Sequence, residues 1–201
     1  MIIIYLTYTK RFWIRLRTSR STPAKWCCDS IESKDSEVSA LNIVPYSNEK
    51  QQVVNLLVEL QEYLAAVDDE KVQTIEDEYG EKYFTYLQGL VKNHDGIILL
   101  AVSGSEVYGL IAGYIEPKDE EDIITNRCPK RGIISDLAVT ASCRGSGMGK
   151  DLMNAIEKYF IEMNCEFVAV NLFAPNDTAR KFYDSLGYTP RNIELYKRIK
   201  R

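Results

Sequence analysis

The feature that most constrains this chain is a glycine-rich segment between a predicted strand and a predicted helix. Residues 133–139 are mostly apolar, as in a buried strand, and apolar residues recur at helical spacing across 152–160. Gly145, Gly147 and Gly149 therefore lie at the N-terminal end of that helix. Backbone N–H groups there have no partner within the helix, and glycine lets an anion approach them closely. The segment predicts a strand–loop–helix unit that binds a phosphate group.

The spacing of this loop excludes two nucleotide-binding motifs. In a P-loop, four residues separate the first glycine from Gly-Lys-Ser/Thr. Here Gly149 and Lys150 are followed by Asp151, so the magnesium-binding hydroxyl is missing, and Arg144 occupies the position of the first glycine. The dinucleotide fingerprint G-x-G-x-x-G also fails, because the third glycine comes one residue early.

A different phosphate-loop motif does fit, and a second motif follows it. Arg144, Gly147 and Gly149 match Arg/Gln-x-x-Gly-x-Gly/Ala. Beyond a predicted strand at 166–173, the chain reads Asn176-x-x-Ala179-x-x-Phe182-Tyr183-x-x-Leu186-Gly187-Tyr188. Together the two motifs resemble the signatures of the GNAT superfamily of acyl-CoA-dependent N-acetyltransferases. The resemblance covers residues 41 to 200.

This resemblance implies an α/β fold, with a central mixed, largely antiparallel sheet flanked by helices. The residue patterns predict a matching order of elements: a strand at 40–44, helices around 53–64 and 83–91, hairpin strands at 96–102 and 107–115, the strand–loop–helix unit, a strand at 166–173, a helix at 178–186 and a last strand around 193–197. Ser47 is predicted to cap the first helix, and Asn176 or Asp177 the last.

The chain divides at residue 40. We assign residues 41–201 to a single GNAT domain, and residues 1–40 to an N-terminal extension that we expect to be poorly ordered. The apolar run of the extension precedes its basic residues, which is the reverse of a secretory signal, and is too short to cross a bilayer. Its composition also resembles an organelle transit peptide or a segment that lies on an anionic membrane. We base no function on it.

By resemblance, acetyl-CoA is the cosubstrate and coenzyme A the product. In the family the sheet opens beside the strand before the phosphate loop, and the free backbone binds the pantetheine arm and the thioester oxygen. Leu137, Ala138 and Val139 occupy that position here. The pyrophosphate would be held by Arg144, Gly145, Ser146, Gly147, Met148, Gly149 and Lys150. Their N–H groups would do most of the binding, with the side chain of Arg144 supporting the loop. Asn176 resembles the asparagine that binds pantetheine, and a plain N-cap explains it equally well.

Two residues are candidates for the proton transfers that acetyl transfer requires. Tyr183 matches the family tyrosine that protonates the departing thiolate, and its alternative is a core tyrosine. Asp136 is an ionisable residue in an apolar strand, which costs free energy unless it is paired or used. We predict that Asp136 is the general base. Pairing with Arg131 or Arg144 is the structural alternative.

The charge distribution bears on the partners of the domain. The net charge is −4, and residues 1–30 carry six basic residues against one acidic, or +5, which leaves −9 for the rest. This charge argues against double-stranded nucleic acid as a partner of the domain, because binding it requires a basic face, and we predict no nucleic-acid partner. A cationic amine is favoured instead. Acidic runs at 68–70, 76–78 and 116–122 could orient such an amine, or simply face solvent.

The remaining chemistry-bearing residues argue against other mechanisms. The five cysteines form no C-x-x-C pair and have no histidines at ligand spacing, so we predict reduced thiols in a cytoplasmic protein and no metal. Cys143, just before the loop, is interpreted as an inert small residue rather than a reactive thiol. His94 is the only histidine, which argues against a serine–histidine or cysteine–histidine nucleophile.

These observations predict an N-acetyltransferase that transfers the acetyl group of acetyl-CoA to a primary amine by direct attack. Whether the amine belongs to a small molecule, a peptide N-terminus or a lysine stays open, and so does homodimer formation. The alternative from another functional class is a non-catalytic acyl-CoA-binding module that senses or scaffolds. A protein-modifying enzyme whose extension recruits its target is a third hypothesis.

Overall fold

The structure, a computed structural model, describes residues 41–118, 123–124 and 129–199 of the chain. The extension at 1–40 lies outside the described residues, as do Cys27, Cys28 and Cys128. The elements follow in the order β1 (Asn42–Pro45), α1 (Lys50–Val67), α2 (Tyr79–Asn93), β2 (Ile97–Ser103), β3 (Glu106–Ile115), β4 (Arg131–Val139), a 3-10 turn (Ala141–Cys143), α3 (Met148–Glu162), β5 (Phe167–Val170) and α4 (Asp177–Ser185).

A five-stranded sheet lies at the centre of the domain, in the order β1-β2-β3-β4-β5. Its neighbouring strands pair antiparallel except for β4 and β5, which are parallel. The parallel pair needs a crossover, and α3 supplies it. The mixed, largely antiparallel sheet flanked by helices that was predicted from the sequence is therefore confirmed.

The two faces of the sheet bury separate apolar clusters. On one face α1 and α2 pack Leu57 and Phe84 against the strands. On the other, α3 contributes Ile156 and Phe160. Small residues in the strands admit the large ring of Phe160: a Cβ at Gly113 would lie 2.8 Å from it. The helices therefore cover both faces, which explains why the central strands are apolar on both sides.

A β-bulge in β4 determines which face Asp136 occupies. Ala112 of β3 pairs with Asp136 and the next residue pairs with Ile134, so Ser135 is an extra residue in β4. An extra residue reverses the alternation of side chains along the strand. Ile134 accordingly packs with the α3 cluster, whereas Ala138 packs with the α1–α2 cluster. The bulge turns the carboxylate of Asp136 toward α1 and α2.

The predicted last strand, 193–197, is wrong. Residues 189–199 have no regular secondary structure, and Ile193, Leu195 and Tyr196 are exposed. Alternating side chains suit a strand, but a strand also needs a neighbouring edge to pair with, and within the described residues none pairs with this segment. Instead, the Arg198 guanidinium binds Glu70 at 2.5 and 2.8 Å.

Two further boundaries differ from the predictions. The strand predicted at 166–173 stops at Val170. The first helix is preceded by Glu49 rather than capped by Ser47, because the backbone N–H and the hydroxyl of Ser47 both donate to the Glu49 carboxylate. Neither difference changes the order of the elements.

Candidate active site

The glycine-rich loop forms the N-terminus of α3, as the sequence predicts. Gly145 has φ +77° and Gly147, the N-cap residue, has φ +94°, a region that glycine enters without a steric cost. The Ser146 hydroxyl closes the turn by donating to the Cys143 carbonyl at 2.7 Å. In the described part of the chain, the N–H groups of Gly145, Gly147 and Gly149 have no acceptor. These unpaired N–H donors lie at the positive end of the helix dipole, where an anion can bind.

Arg144 fastens this loop to the rest of the domain. Its Nε donates to the Val139 carbonyl at 3.2 Å, and its guanidinium pairs with Glu59 of α1 at 2.7 Å. The same guanidinium lies 5.9 Å from the ring centroid of Tyr63, in cation–π range. These contacts hold the loop against α1.

The sheet opens next to the loop. β5 pairs with β4 from Arg131–Phe167 to Ile134–Val170 and no further. Beyond Ile134, β4 is bonded to β3 on one side, and no described strand lies on its other side. On that side an extended ligand can therefore reach the edge of β4 along Leu137, Ala138 and Val139, where the Val139 carbonyl already accepts from Arg144.

Asn176 caps α4 and is buried. Its Oδ1 accepts the Ala179 N–H at 3.0 Å and the Tyr63 hydroxyl at 3.2 Å. The N-cap that was predicted from the sequence is confirmed. The amide nitrogen of Asn176 donates to no acceptor among the described residues, so one polar group of this side chain stays available to a ligand.

Tyr183 projects from α4, half-buried against Phe182 and Tyr188, with ring centroids 5.3 and 5.7 Å away. Burial, together with the negative charge of Asp136, raises the pKa of Tyr183 to about 12. The phenol therefore stays protonated at neutral pH. Phe182 contacts the loop: a Cβ on Gly149 would lie 3.4 Å from its ring. The two sequence motifs thus meet in space.

Asp136 is only 6% exposed. Its Oδ1 accepts the Tyr83 hydroxyl at 2.9 Å, and its Oδ2 has no partner within the described ranges. Burial raises the pKa of Asp136, and the hydrogen bond from Tyr83 opposes that shift. The suggested pairing with arginine is not seen, because Arg131 pairs with Glu116 and Arg144 with Glu59. A buried, incompletely bonded carboxyl group with a raised pKa holds a proton more readily than an ordinary aspartate does, which suits a general base.

Comparison with known proteins identifies the family of the chain. The profile of the acetyltransferase (GNAT) family matches residues 60–188. This chain belongs to the GNAT family. It is 31% identical over 90 residues to an uncharacterised N-acetyltransferase of Methanocaldococcus jannaschii, a match that covers 44% of the chain and 53%, about half, of that relative.

Two solved structures resemble the fold of this GNAT chain. A tetramutant of a Bacillus halodurans protein gives a TM-score of 0.67 at 19% identity, covering 79% of the chain and 99% of that protein. The glucosamine-6-phosphate N-acetyltransferase of Arabidopsis thaliana gives a TM-score of 0.53 at 19% identity, and the match covers 80% of the chain and 99% of that protein. At these identities the likeness shows the fold alone.

A cleft at the start of α2 adds residues that sequence reasoning missed. It has a volume of about 360 Å³ and is lined by Thr74, Glu76, Tyr79, Lys82 and Tyr83. The sequence analysis predicted a helix around 83–91 and gave Tyr83 no functional role. One available signal was the spacing of Tyr79 and Tyr83, which places two phenols on one face of the helix, one turn apart.

The acidic runs of this GNAT domain divide into structural and exposed members. Asp68 is buried and accepts the N–H groups of Glu70, Val72 and Gln73 at 3.1, 2.6 and 2.7 Å. These bonds, led by the one from Gln73, lower its pKa. Asp68 therefore shapes the connection between α1 and α2 and is not available to orient an amine. Glu76 lines the cleft.

Thiols, metals and membrane spans add little to the site. Cys143 is buried beside α3, and burial raises the pKa of the Cys165 thiol. Across 41–118, 123–124 and 129–199, no group of three His, Cys, Asp or Glu side chains could hold a metal ion. Over those same stretches, no helix has the length and apolar character needed to cross a membrane.

Proposed function

We propose that this GNAT chain transfers the acetyl group of acetyl-CoA to a primary amine by direct attack. The supporting observation is that the sheet opens at Ile134, two residues before Asp136 and ten residues before Arg144 of the phosphate loop. The open edge of β4, the free loop N–H groups and the Asp136 carboxyl group thus belong to one stretch of the chain, and Tyr183 of α4 lies near enough for the charge of Asp136 to raise its pKa.

The residues that are present fit the cosubstrate. The loop offers N–H donors of Gly145, Gly147 and Gly149 to a pyrophosphate, and a Cβ built at Gly145 would meet no atom within 4 Å, so the approach is open. The free side of Leu137 to Val139 suits the amides of a pantetheine arm. Arg144 holds the loop in place through α1.

Bound acetyl-CoA supplies a thioester whose carbonyl carbon accepts the amine and whose sulfur leaves as a thiolate. The Tyr183 hydroxyl donates a proton to that sulfur, since its pKa of about 12 keeps it protonated yet able to donate. The amine attacks in its neutral form, after losing its ammonium proton to water, and Asp136 takes the proton that the nitrogen loses on binding the carbonyl carbon. Exchange with water then removes that proton from Asp136 and returns one to Tyr183. One N–H and one C–S bond break, and one C–N and one S–H bond form.

The acceptor is a primary amine that is cationic in solution. The chain beyond residue 30 carries a net charge of −9, obtained from −4 by removing the +5 of the first thirty residues. A negative field attracts a cation and raises its association rate. The cleft with Glu76, Tyr79 and Tyr83 offers the entry for such an amine. We also propose a cytoplasmic location, because Cys143 and Cys165, the cysteines among the described residues, form no disulfide, and we propose no nucleic-acid partner.

A coenzyme-release assay over polyamines, aminoglycosides, amino acids and peptides tests the proposal. We expect at least one amine class to give release well above hydrolysis. In parallel, coenzyme A should raise the melting temperature at saturating concentration, and ATP and NAD should do much less. Binding of coenzyme A without acetylation of any amine would favour the non-catalytic sensor or scaffold. Equal shifts from all three ligands would reject the cosubstrate.

A further inference from the structure

Three tyrosines form a row on one face of α2. The Tyr79 and Tyr83 rings are stacked, with centroids 5.4 Å apart and planes 11° apart, and the Tyr86 ring follows at 6.0 Å. Residues spaced by three or four positions are neighbours on a helix, and offset aromatic pairs stabilise one another. Tyr83 is the middle ring, so its orientation is fixed from both sides.

The hydroxyl of that middle ring binds the proposed base. Tyr83 donates to Oδ1 of Asp136 at 2.9 Å, whereas Oδ2 has no partner among the described residues. We infer that Tyr83 is a positioning residue for acetyl transfer: its hydroxyl fixes the Asp136 carboxylate through Oδ1 and leaves Oδ2 as the oxygen that takes the proton. This inference rests on the proposed function and names a residue that neither sequence motif contains.

Among the groups around Asp136, the Tyr83 hydroxyl is the main one that offsets the cost of burying the carboxylate. Tyr79 and Tyr83 face it from α2 and Tyr183 from α4, and in the described chain no lysine, arginine or histidine acts on it. Ser135 beside it also lowers the pKa of Asp136, though less than Tyr83 does, and its hydroxyl donates to the Ala112 carbonyl of β3 at 3.2 Å. An ionised carboxyl group buried this deeply needs a hydrogen-bond donor, and the Tyr83 hydroxyl is the one in place.

The test compares Tyr83→Phe with Tyr86→Phe. Both remove one hydroxyl from the same aromatic row, but only Tyr83 bonds Asp136. The pKa of Asp136 is measured by NMR titration of its side-chain carboxyl carbon, and kcat/KM is measured against pH with an amine found in the panel. In Tyr83→Phe we expect a higher Asp136 pKa and an acidic limb of kcat/KM displaced to higher pH by the same amount. Tyr86→Phe should leave both at the wild-type values.

A third variant guards against indirect effects. In Asp136→Asn the acidic limb should be absent, and adding Tyr83→Phe should not restore or move one. An unchanged Asp136 pKa in Tyr83→Phe overturns the inference, and so does a raised pKa with an unmoved acidic limb in an active enzyme. Failure of the proposed function gives a different result, because wild type and Tyr86→Phe would then also acetylate no amine. That result would overturn both the proposed function and this inference.

Discussion

Tyr63 on α1 donates a hydrogen bond of 3.2 Å to Oδ1 of Asn176, the residue that caps α4. The same oxygen accepts the Ala179 N–H at 3.0 Å. One buried side-chain oxygen therefore connects two helices and leaves the amide nitrogen of Asn176 for a ligand. The stabilising role and the proposed pantetheine-binding role of Asn176 thus belong to different atoms and can be separated by mutation.

Asn176→Ala should lower the free energy of unfolding by about 1 kcal/mol, because the cap is lost. Asn176→Asp keeps an oxygen at the cap and removes the amide donor. We expect it to retain near wild-type stability in urea unfolding and to bind coenzyme A more weakly by calorimetry. Unweakened binding in Asn176→Asp would mean that Asn176 is only a cap.

Gly147→Val should abolish coenzyme A binding. The residue has φ +94°, which a β-branched side chain rarely adopts, and its added bulk would stand at the N–H groups offered to the pyrophosphate. The measurement is the shift in melting temperature with coenzyme A. Retained binding would show that this loop is not the pyrophosphate site.

A matched control separates backbone strain from loss of the site. Gly104, in the β2–β3 hairpin, has φ +60° and belongs to no proposed ligand contact. Gly104→Val should lower stability by the same kind of strain while leaving the shift with coenzyme A intact. A loss of binding in both variants would attribute the effect at Gly147 to general destabilisation.

Tyr183→Phe should lower kcat by roughly 100-fold, the lower end expected for lost general acid catalysis, with an unchanged affinity for coenzyme A. Because the pKa of Tyr183 is about 12, its deprotonation should cause no fall in wild-type activity up to pH 10, a value about two units below it. Tyr188→Phe is the control: its hydroxyl donates to Glu157 at 2.8 Å, so stability should change more than kcat. A wild-type kcat in Tyr183→Phe would make Tyr183 a core residue.

Asp136 should make wild-type stability depend on pH. Burial raises its folded pKa above the ordinary value of 3.8, so the folded state binds this proton more tightly than the unfolded state does. The stability that this tighter proton binding contributes is fully present below pH 3.8 and is lost as the pH rises through the folded pKa of Asp136. Between pH 4 and pH 8, urea unfolding should show wild type losing stability relative to Asp136→Asn. Parallel pH profiles would indicate an Asp136 whose pKa is not raised.

Much of this domain follows from short-range patterns in the sequence. The turn residues at 103–106, the glycines before α3 and the cap at Asn176 each act within a few residues, and hydrophobic periodicity locates the helices and the strands between them. At 193–197, the alternation of apolar and polar residues predicted a strand that does not form. Alternation there describes which way side chains would point, but pairing depends on an edge supplied from elsewhere in the chain.

Contacts between distant residues were decided by the tertiary structure. Arg144 binds Glu59, 85 residues away, and Tyr83 binds Asp136, 53 residues away. The extra residue Ser135 decides the second contact, because it reverses the side chains that follow it in β4. The sequence by itself determined which elements form and where a phosphate can bind, since those depend on neighbouring residues. The packing of α2 against the bulged strand alone determined which hydroxyl faces the buried carboxylate.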